Sequence, residues 1–154
     1  MQPSLSRIWI KVAPILETLD GADALASLSV LRIATARELC DLSALDSGLR
    51  SLVKIALEEC RSVESLDDLA ALRVLSFLGI SDSGRIASLS PVANMSHLQT
   101  LHAWGSTLIE DGDLSPLLRL PELTEVRMRD RREYRPSLAA VQEHLGSREG
   151  RETF

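Results

Sequence analysis

One pattern of apolar residues, L-x-x-L-x-x-L-x-L, recurs five times along the chain and limits its possible folds more than any other feature. The third apolar position of the pattern holds Leu31, Ile55, Leu75, Leu101 and Val126. Successive members of this set lie 24, 20, 26 and 25 residues apart. A shorter match around Ile8 lies 23 residues before Leu31. Self-similarity at such a period indicates a repeat protein, in which each unit stacks on its neighbours.

Each unit divides into two local structures. The final L-x-L has a period of two, so its apolar residues face one side of a short β-strand. The preceding L-x-x-L-x-x-L has a spacing of three and suits a helical or 3₁₀ turn that arrives at the strand. Because one unit cannot bury its apolar face alone, the units must stack. The sequence therefore predicts a right-handed α/β solenoid, with a parallel sheet on the concave side and short helices or 3₁₀ turns on the convex side.

The repeats place the boundaries of a single domain over residues 1–145. A capping strand is predicted at 5–12, about five repeats at 25–135 and a capping helix at 136–145, where Leu138, Val141 and Leu145 share helical spacing. Residues 146–154 are predicted to be a disordered tail. Pro91 and Pro116 suit first helical turns. The predicted helix caps are Ser62, Ser90, and Asp113 or Ser115.

Two strings carry a resemblance to a known family. SLSPVANMSHLQTLHAW at 88–104 and DLSPLLRLPELTEVRMRD at 113–130 resemble the internalin-like, short-helix class of bacterial leucine-rich repeats. The resemblance extends over about 5–145. It implies a protein-interaction scaffold without catalytic residues.

The chain departs from that family at one position of each unit. Where the family usually has an asparagine that bonds the backbone of adjacent turns, the chain has Ala13, Ala36, Cys60, Ile80, Ser106 and Arg131. Only Cys60 and Ser106 could replace part of that role, so the hydrogen-bond ladder is predicted to be mostly absent. Either the repeats are degenerate under loose constraint, or this is a specialised module whose irregular loops matter.

Composition excludes several classes of function. The net charge is −5 and the pI is near 5.2, which argues against general nucleic-acid binding. Cys40 and Cys60 are the only cysteines and have no zinc-ligand spacing, which favours reduced thiols in the cytoplasm. No stretch reaches the roughly 18 apolar residues of a membrane span, so no membrane association is expected.

Catalytic and metal-binding patterns are not found. The chain has no nucleophile elbow, phosphate-binding loop, dinucleotide fingerprint, zinc-protease or EF-hand motif. His97, His102 and His144 are scattered, and the acidic residues at 110–113 fit no known calcium loop. We expect neither an enzyme nor a cofactor.

A candidate binding cluster follows from the register of the predicted strands. If the non-core strand residues face the concave side, Leu78, His102, Trp104, Arg127 and Arg129 meet there. Exposed tryptophan and arginine are the residue types that dominate binding hot spots.

Other interpretations of these residues stay open. Trp104 could instead fold over the rim of the sheet or pack under the loop at 105–113. Trp9 could pack against a capping segment or another domain. The arginines between 127 and 135 could form a solvated, self-compensating end face, or contact an acidic protein surface or phosphate.

The sequence thus favours a protein partner, bound through the concave sheet and adjacent loops. The module could be the sensor or recognition part of a bacterial signalling, defence or immunity protein. The alternative is a structural repeat domain that packs against another domain of a larger polypeptide. A monomer is expected, because the short first strand carries Arg7 and Lys11, which discourage pairing at its edge.

Overall fold

The computed structural model describes residues 5–47 and 49–152, and its main feature is a six-stranded parallel sheet in the order β1-β2-β3-β4-β6-β8. A second parallel pair joins β5 to β7. The strands are β1 (Arg7–Ile10), β2 (Val30–Ala34), β3 (Lys54–Glu58), β4 (Phe77–Gly79), β5 (Arg85–Ile86), β6 (Thr100–Ala103), β7 (Leu108–Ile109) and β8 (Glu125–Met128).

Short helices connect the strands on the opposite side. The 3₁₀ helices are Ala22–Ala24, Asp67–Leu69, Ser90–Asn94 and Ser115–Arg119, and the α-helices are α1 (Ala44–Ser47) and α2 (Leu138–Glu152). A 3₁₀ helix has three residues per turn, so leucines spaced by three point to the same side and into the core. The predicted right-handed solenoid, with sheet and helices on opposite sides, is the observed fold.

One aliphatic core runs through all the repeats. The inward strand residues of β3, Ile55 and Leu57, are buried, as are Leu49 and Leu52 before the strand. Tyr134 is a fully buried aromatic residue, and its hydroxyl accepts a hydrogen bond from the Ile109 N–H at 3.2 Å. The core is therefore made of layers contributed one per repeat, as the aliphatic composition requires.

The register of the third repeat differs from the prediction. Leu78 pairs with Ile55 of β3 and with Leu101 of β6, so Leu78 rather than Leu75 begins the strand's inward-facing positions. Phe77, predicted to point into the core, is half-buried on the opposite side of the strand. With Leu78 as the marker, the steps between repeats become 24, 23, 23 and 25 residues. The units are thus more regular than the sequence pattern suggested.

The corrected register also adds a member to the hydrogen-bond ladder, which was predicted to be mostly absent. The family's asparagine position in the third repeat is Ser83, not Ile80, and the Ser83 hydroxyl donates to Leu57 O at 3.0 Å. The Cys60 thiol contacts Ile33 O at 3.9 Å, and the Thr107 hydroxyl donates to Ile80 O. Small polar side chains therefore join three successive turns in the middle of the solenoid, with Thr107 in place of the predicted Ser106. Ala13 and Ala36 supply no such bond, so the prediction of a mostly absent ladder was wrong only for the central repeats.

A second repeated hydrogen bond introduces each convex helix. A side-chain oxygen accepts the N–H of the residue two places later at five positions, Thr18, Asp41, Ser65, Ser88 and Asp113. Serine, threonine and aspartate make such turns because their short side chains reach the nearby backbone.

Two of the predicted helix caps were therefore wrong. Ser88 rather than Ser90 is the acceptor before Ser90–Asn94. The Ser62 hydroxyl donates to Arg37 O in the neighbouring turn instead of capping a helix. Asp113 accepts the Ser115 N–H at 2.8 Å, which selects Asp113 from the two candidates.

The C-terminal helix covers the last repeat and is longer than predicted. Val141 and Leu145 of α2 are buried in the common core. The helix continues to Glu152, beyond the predicted end at residue 145, so 146–152 are helical and not a disordered tail. Arg148 on this extension donates to Pro121 O, which joins it to the preceding loop. Residues 1–4 of the predicted domain and 153–154 of the predicted tail lie outside the described residues.

Candidate functional site

Three rows of side chains on the outer side of the large sheet form what we call the concave face. Strand pairing defines the first two rows, and the third lies at or just beyond the carboxyl ends of the strands. The rows are Arg7, Val30, Lys54, Phe77, Thr100 and Glu125; Trp9, Arg32, Ala56, Gly79, His102 and Arg127; and Lys11, Ala34, Glu58, Ser81, Trp104 and Arg129.

The centre of the concave face is a shallow depression, because its residues have small side chains or none. Ala56 and Gly79 are adjacent in the second row, and the Phe77 ring leans over Gly79. A Cβ added to Gly79 would lie 3.1 Å from the ring and 3.3 Å from Ala56 Cβ. The Phe77 ring also meets the His102 ring edge-on, with 5.0 Å between centroids. The absence of a side chain at Gly79 therefore lets Phe77 settle against the sheet.

A small charged network lies beside that depression. Glu125 Oε2 is 3.0 Å from His102 Nε2, and its other oxygen is 2.9 Å from Arg127 Nη2. The hydrogen bond from His102, reinforced by the charge of Arg127, lowers the pKa of Glu125. Glu125 thus stays ionised and holds both neighbouring side chains in place.

A cavity of about 450 Å³ opens between the sheet and α2. It is lined by Ser81, His102, Trp104, Val126, Arg127, Met128 and Gln142. Gln142 Nε2 donates to Val126 O at 2.7 Å, which fixes the helix wall to β8. The cavity combines an aromatic side, an apolar floor and a charged rim, and such a combination suits one large side chain of a partner.

Trp104 forms one wall of this cavity and remains 60% exposed. The backbone N–H of Trp104 donates to Ser81 Oγ at 3.2 Å, and its backbone carbonyl accepts the Asp82 N–H at 2.9 Å. Gly105 follows with a φ of 74°, and a Cβ there would overlap the Asp82 carboxylate. The backbone of Trp104 is therefore fixed, while its indole faces outward. The loop at 105–113 does not cover the indole.

A second aromatic group stands at the opposite end of the concave face. Trp9 is 56% exposed, with Lys11 Nζ 4.3 Å and Arg32 Cζ 4.9 Å from its ring centroid. Both cations therefore lie in cation–π contact with the indole. Arg32 also approaches Glu58 at 3.6 Å.

The arginines between 127 and 135 do not act as one group. Arg127 pairs with Glu125, whereas Arg135 donates to the carbonyls of Arg132 and Tyr134. Arg131 donates to Thr107 O at 3.5 Å, and its buried Nε has no partner in the described part of the chain. Arg129 is exposed and makes no ion pair with any described residue.

The structure brings together four of the five predicted site residues. His102, Trp104 and Arg127 line one cavity, and Arg129 follows Arg127 in the next row. Leu78 is 0% exposed and lies in the core, so its assignment to the binding surface was wrong. The predicted register was shifted by three residues, and an odd shift moves each strand residue to the opposite face of the sheet.

The predicted cluster did not include Phe77, Glu125 or Gln142, although the alternation within the predicted strand places Glu125 on the concave face. Even spacing between repeats would have placed Phe77 opposite Lys54, on the concave face. The contribution of Gln142 depends on how α2 packs, which no repeat pattern records.

The described residues offer neither a metal site nor a membrane-spanning helix. Within residues 5–47 and 49–152, no group of three or more His, Cys, Asp or Glu side chains could hold a metal ion. No helix among those residues is long and apolar enough to cross a membrane.

Comparison with known proteins gives structural relatives only. No protein-family model and no curated protein matches the chain. The structure is similar to an internalin, InlF from Listeria monocytogenes, with a TM-score of 0.61 and 26% identity over 71% of this chain and 30% of that one. It is also similar to the leucine-rich-repeat domain of the type III effector XopL, with a TM-score of 0.59 and 18% identity over 83% of this chain and 53% of that one.

This chain therefore spans about a third and about half of the two relatives. Together with the repeat pattern and the six-stranded parallel sheet, these similarities show that the chain has the leucine-rich-repeat solenoid fold.

Proposed function

We propose that this chain is a non-enzymatic protein-binding module that grips its partner with the concave face and the adjacent loops. The observation that carries the proposal is the exposed Trp104 indole beside a cavity that His102 and Arg127 also line. An aromatic residue held by a fixed backbone loses little conformational freedom on binding, and aromatic and arginine side chains dominate binding hot spots.

The general behaviour of leucine-rich repeats supports the same proposal, because such domains commonly bind proteins. The finer role, the recognition part of a bacterial signalling, defence or immunity protein, rests on the bacterial internalin and the type III effector among the relatives. A cytoplasmic location stays a prediction and rests on two free cysteines, Cys40 and Cys60. The monomeric state likewise stays a prediction, which size-exclusion chromatography would check.

A second function is favoured by the N-terminal end of the solenoid. Leu5, Val12 and Ile15 are exposed apolar side chains there, and Ile15 is 87% exposed. Such a surface could pack against another domain, which would make the repeats structural.

An affinity pulldown distinguishes the two functions. The bait is the intact chain, and the test variant is Trp104→Ala/Arg129→Glu. The matched control is Ile15→Ala/Arg73→Glu, which also removes an exposed apolar group and reverses an arginine, but away from the concave face. All three proteins must first show the same thermal unfolding transition.

We expect the intact chain and the control to recover the same partner protein, and the test variant to fail to recover it. Equal recovery by all three would contradict the concave site. Loss with the control alone would favour the structural function at the N-terminal end.

A further inference from the structure

The concave face carries charge of the opposite sign to the whole protein. Its three rows hold six arginine and lysine side chains and two glutamates, an excess of four positive charges, although the chain has a net charge of −5. The rest of the molecule therefore carries an excess of nine negative charges. A surface with this contrast attracts and orients an acidic partner that fits within it.

Several of these cations are free to bind. Arg32 and Arg127 already approach Glu58 and Glu125. Among the described residues, Arg7, Lys54 and Arg129 make no ion pair. The unpaired cations lie at both ends and in the middle of the concave face, so they could engage carboxylates spaced along one partner segment.

We propose that the concave face binds a short, extended, acidic polypeptide segment, which places one aromatic or large aliphatic side chain against Trp104 in the cavity beside α2. This inference rests on the proposed function and names the class of partner. Five strand spacings separate β1 from β8, which is about 24 Å. An extended segment of roughly seven residues crosses that distance.

The geometry favours a polypeptide over a nucleic acid. A phosphate backbone presents closely spaced negative charges, and on this face it would meet Glu58 and Glu125, which lie among the cations. A longer polyanion would also reach the acidic remainder of the molecule. A polypeptide can alternate acidic with neutral residues, and its acidic residues can thereby avoid Glu58 and Glu125 of the concave face.

The experiment is a selection from displayed random peptides of about twelve residues, which exceeds the estimated crossing length. Intact protein is the target, and each enriched peptide is then measured by fluorescence anisotropy. The test variant is Lys54→Glu/Arg129→Glu. The matched control, Arg50→Glu/Arg73→Glu, makes the same change in net charge at exposed positions off the concave face.

We expect enriched peptides with a net negative charge and a shared aromatic or aliphatic position. The test variant should bind them at least about tenfold more weakly, while the control stays within about twofold of the intact protein. Trp104→Ala should also weaken binding. Peptide binding should change the intrinsic tryptophan fluorescence of the intact protein, and this change should be smaller in Trp104→Ala, where Trp9 is the remaining tryptophan. Raising sodium chloride from about 50 to about 500 mM should lower affinity because salt screens exposed charges.

The inference would be overturned if no peptide were enriched, or if the enriched peptides had no excess of acidic residues. It would also be overturned if the test variant and the control lost the same affinity for the peptides. Binding of a mixed-sequence single-stranded DNA of similar length as tightly as the peptides would likewise contradict it. Concentration-dependent dimerisation that the peptide fails to displace would assign the face to a second copy instead. The two proposals can fail separately. If the pulldown partner is lost with Trp104→Ala/Arg129→Glu but the enriched peptides are neutral, the acidic segment is refuted and the proposed function is retained.

Discussion

Small polar side chains inside the solenoid connect its turns at the scale of single residues. Ser83 is fully buried, and its hydroxyl reaches Leu57 O in the preceding repeat. Its N–H donates to Thr107 Oγ1 in the following repeat at 3.0 Å. A buried carbonyl without a partner loses its solvation and gains nothing in return. Ser83 therefore links three consecutive repeats.

Ser83→Ala should lower the free energy of unfolding by about 1–3 kcal/mol, because Leu57 O loses its side-chain donor while it stays buried. Urea denaturation followed by circular dichroism measures this change. Ser96→Ala is the control, since Ser96 is exposed and its hydroxyl makes no hydrogen bond with a described residue. Equal stability of the two variants would contradict the ladder.

The two cysteines should differ in their reactivity. Burial, aided by the charges of Glu58 and Glu59, raises the pKa of the Cys60 thiol, whereas Cys40 is exposed. Because the thiolate is the reacting form, iodoacetamide should label Cys40 in the folded protein and Cys60 only after denaturation. Mass spectrometry of the digested protein locates the label. Cys40→Ser should abolish labelling of the folded state, and rapid native labelling of Cys60 would refute the burial argument.

At the scale of elements, the repeats were predictable but the register of β4 was not. Leu66, Leu69, Leu72, Leu75 and Leu78 are spaced by three, so the local pattern matches itself after a shift of three residues. Pairing of Leu78 with Ile55 and Leu101 resolves the ambiguity, and that is a contact between repeats. One displaced strand was enough to exchange Leu78 for Phe77 on the concave face.

The length of α2 escaped prediction for a different reason. Its last core residue, Leu145, is followed by residues that carry no apolar stripe. Within this extension, the Arg148 side chain donates to the Pro121 carbonyl of the neighbouring loop. Amphipathic periodicity marks only the buried part of a helix, and α2 extends beyond it.

The start of α2 gives a prediction for this element. Ser137 Oγ accepts the Ala140 N–H at 3.1 Å, which satisfies one of the unpaired donors in the first helical turn. Ser137→Ala should therefore cost about 1 kcal/mol of stability. Ser147→Ala in the same helix is the matched control, because the Ser147 hydroxyl bonds a carbonyl and caps no N–H group. Thermal and urea unfolding compare the two variants, and a loss in Ser147→Ala as large as in Ser137→Ala would argue against the cap.

At the scale of the whole molecule, the repeat pattern predicts the solenoid but not the distribution of charge over its surface. Stacking of like units determines the solenoid, and the alternation within strands determines that Trp104 and Arg127 face outward. The contrast between a basic face and an acidic remainder depends on the register of every strand at once. Net charge argued only against general nucleic-acid binding and did not reveal the basic face, because it averages over surfaces that point in different directions.

Acid sensitivity is a further property of the whole molecule. Hydrogen bonds from Ser43 lower the pKa of Asp41, those from Ser115 lower the pKa of Asp113, and the pKa of Glu125 is lowered as described above. As pH falls below the ordinary values of 3.8 and 4.5, the unfolded chain takes up protons at these groups before the folded chain does. Stability contributed by the three groups is therefore complete above those values and is lost as pH falls through the lowered pKa values.

Asp68 opposes this trend, because burial, with the charges of nearby aspartates, raises its pKa and lets the folded chain bind a proton first. Three groups against one predict a urea midpoint that falls between about pH 4.5 and about pH 3. Asp41→Asn/Asp113→Asn keeps an oxygen acceptor at both helix starts but removes two of the titrating carboxylates, so its midpoint should fall less steeply over the same range. If the double variant and the original chain lose stability in parallel, protonation at the helix starts is not what destabilises the solenoid in acid.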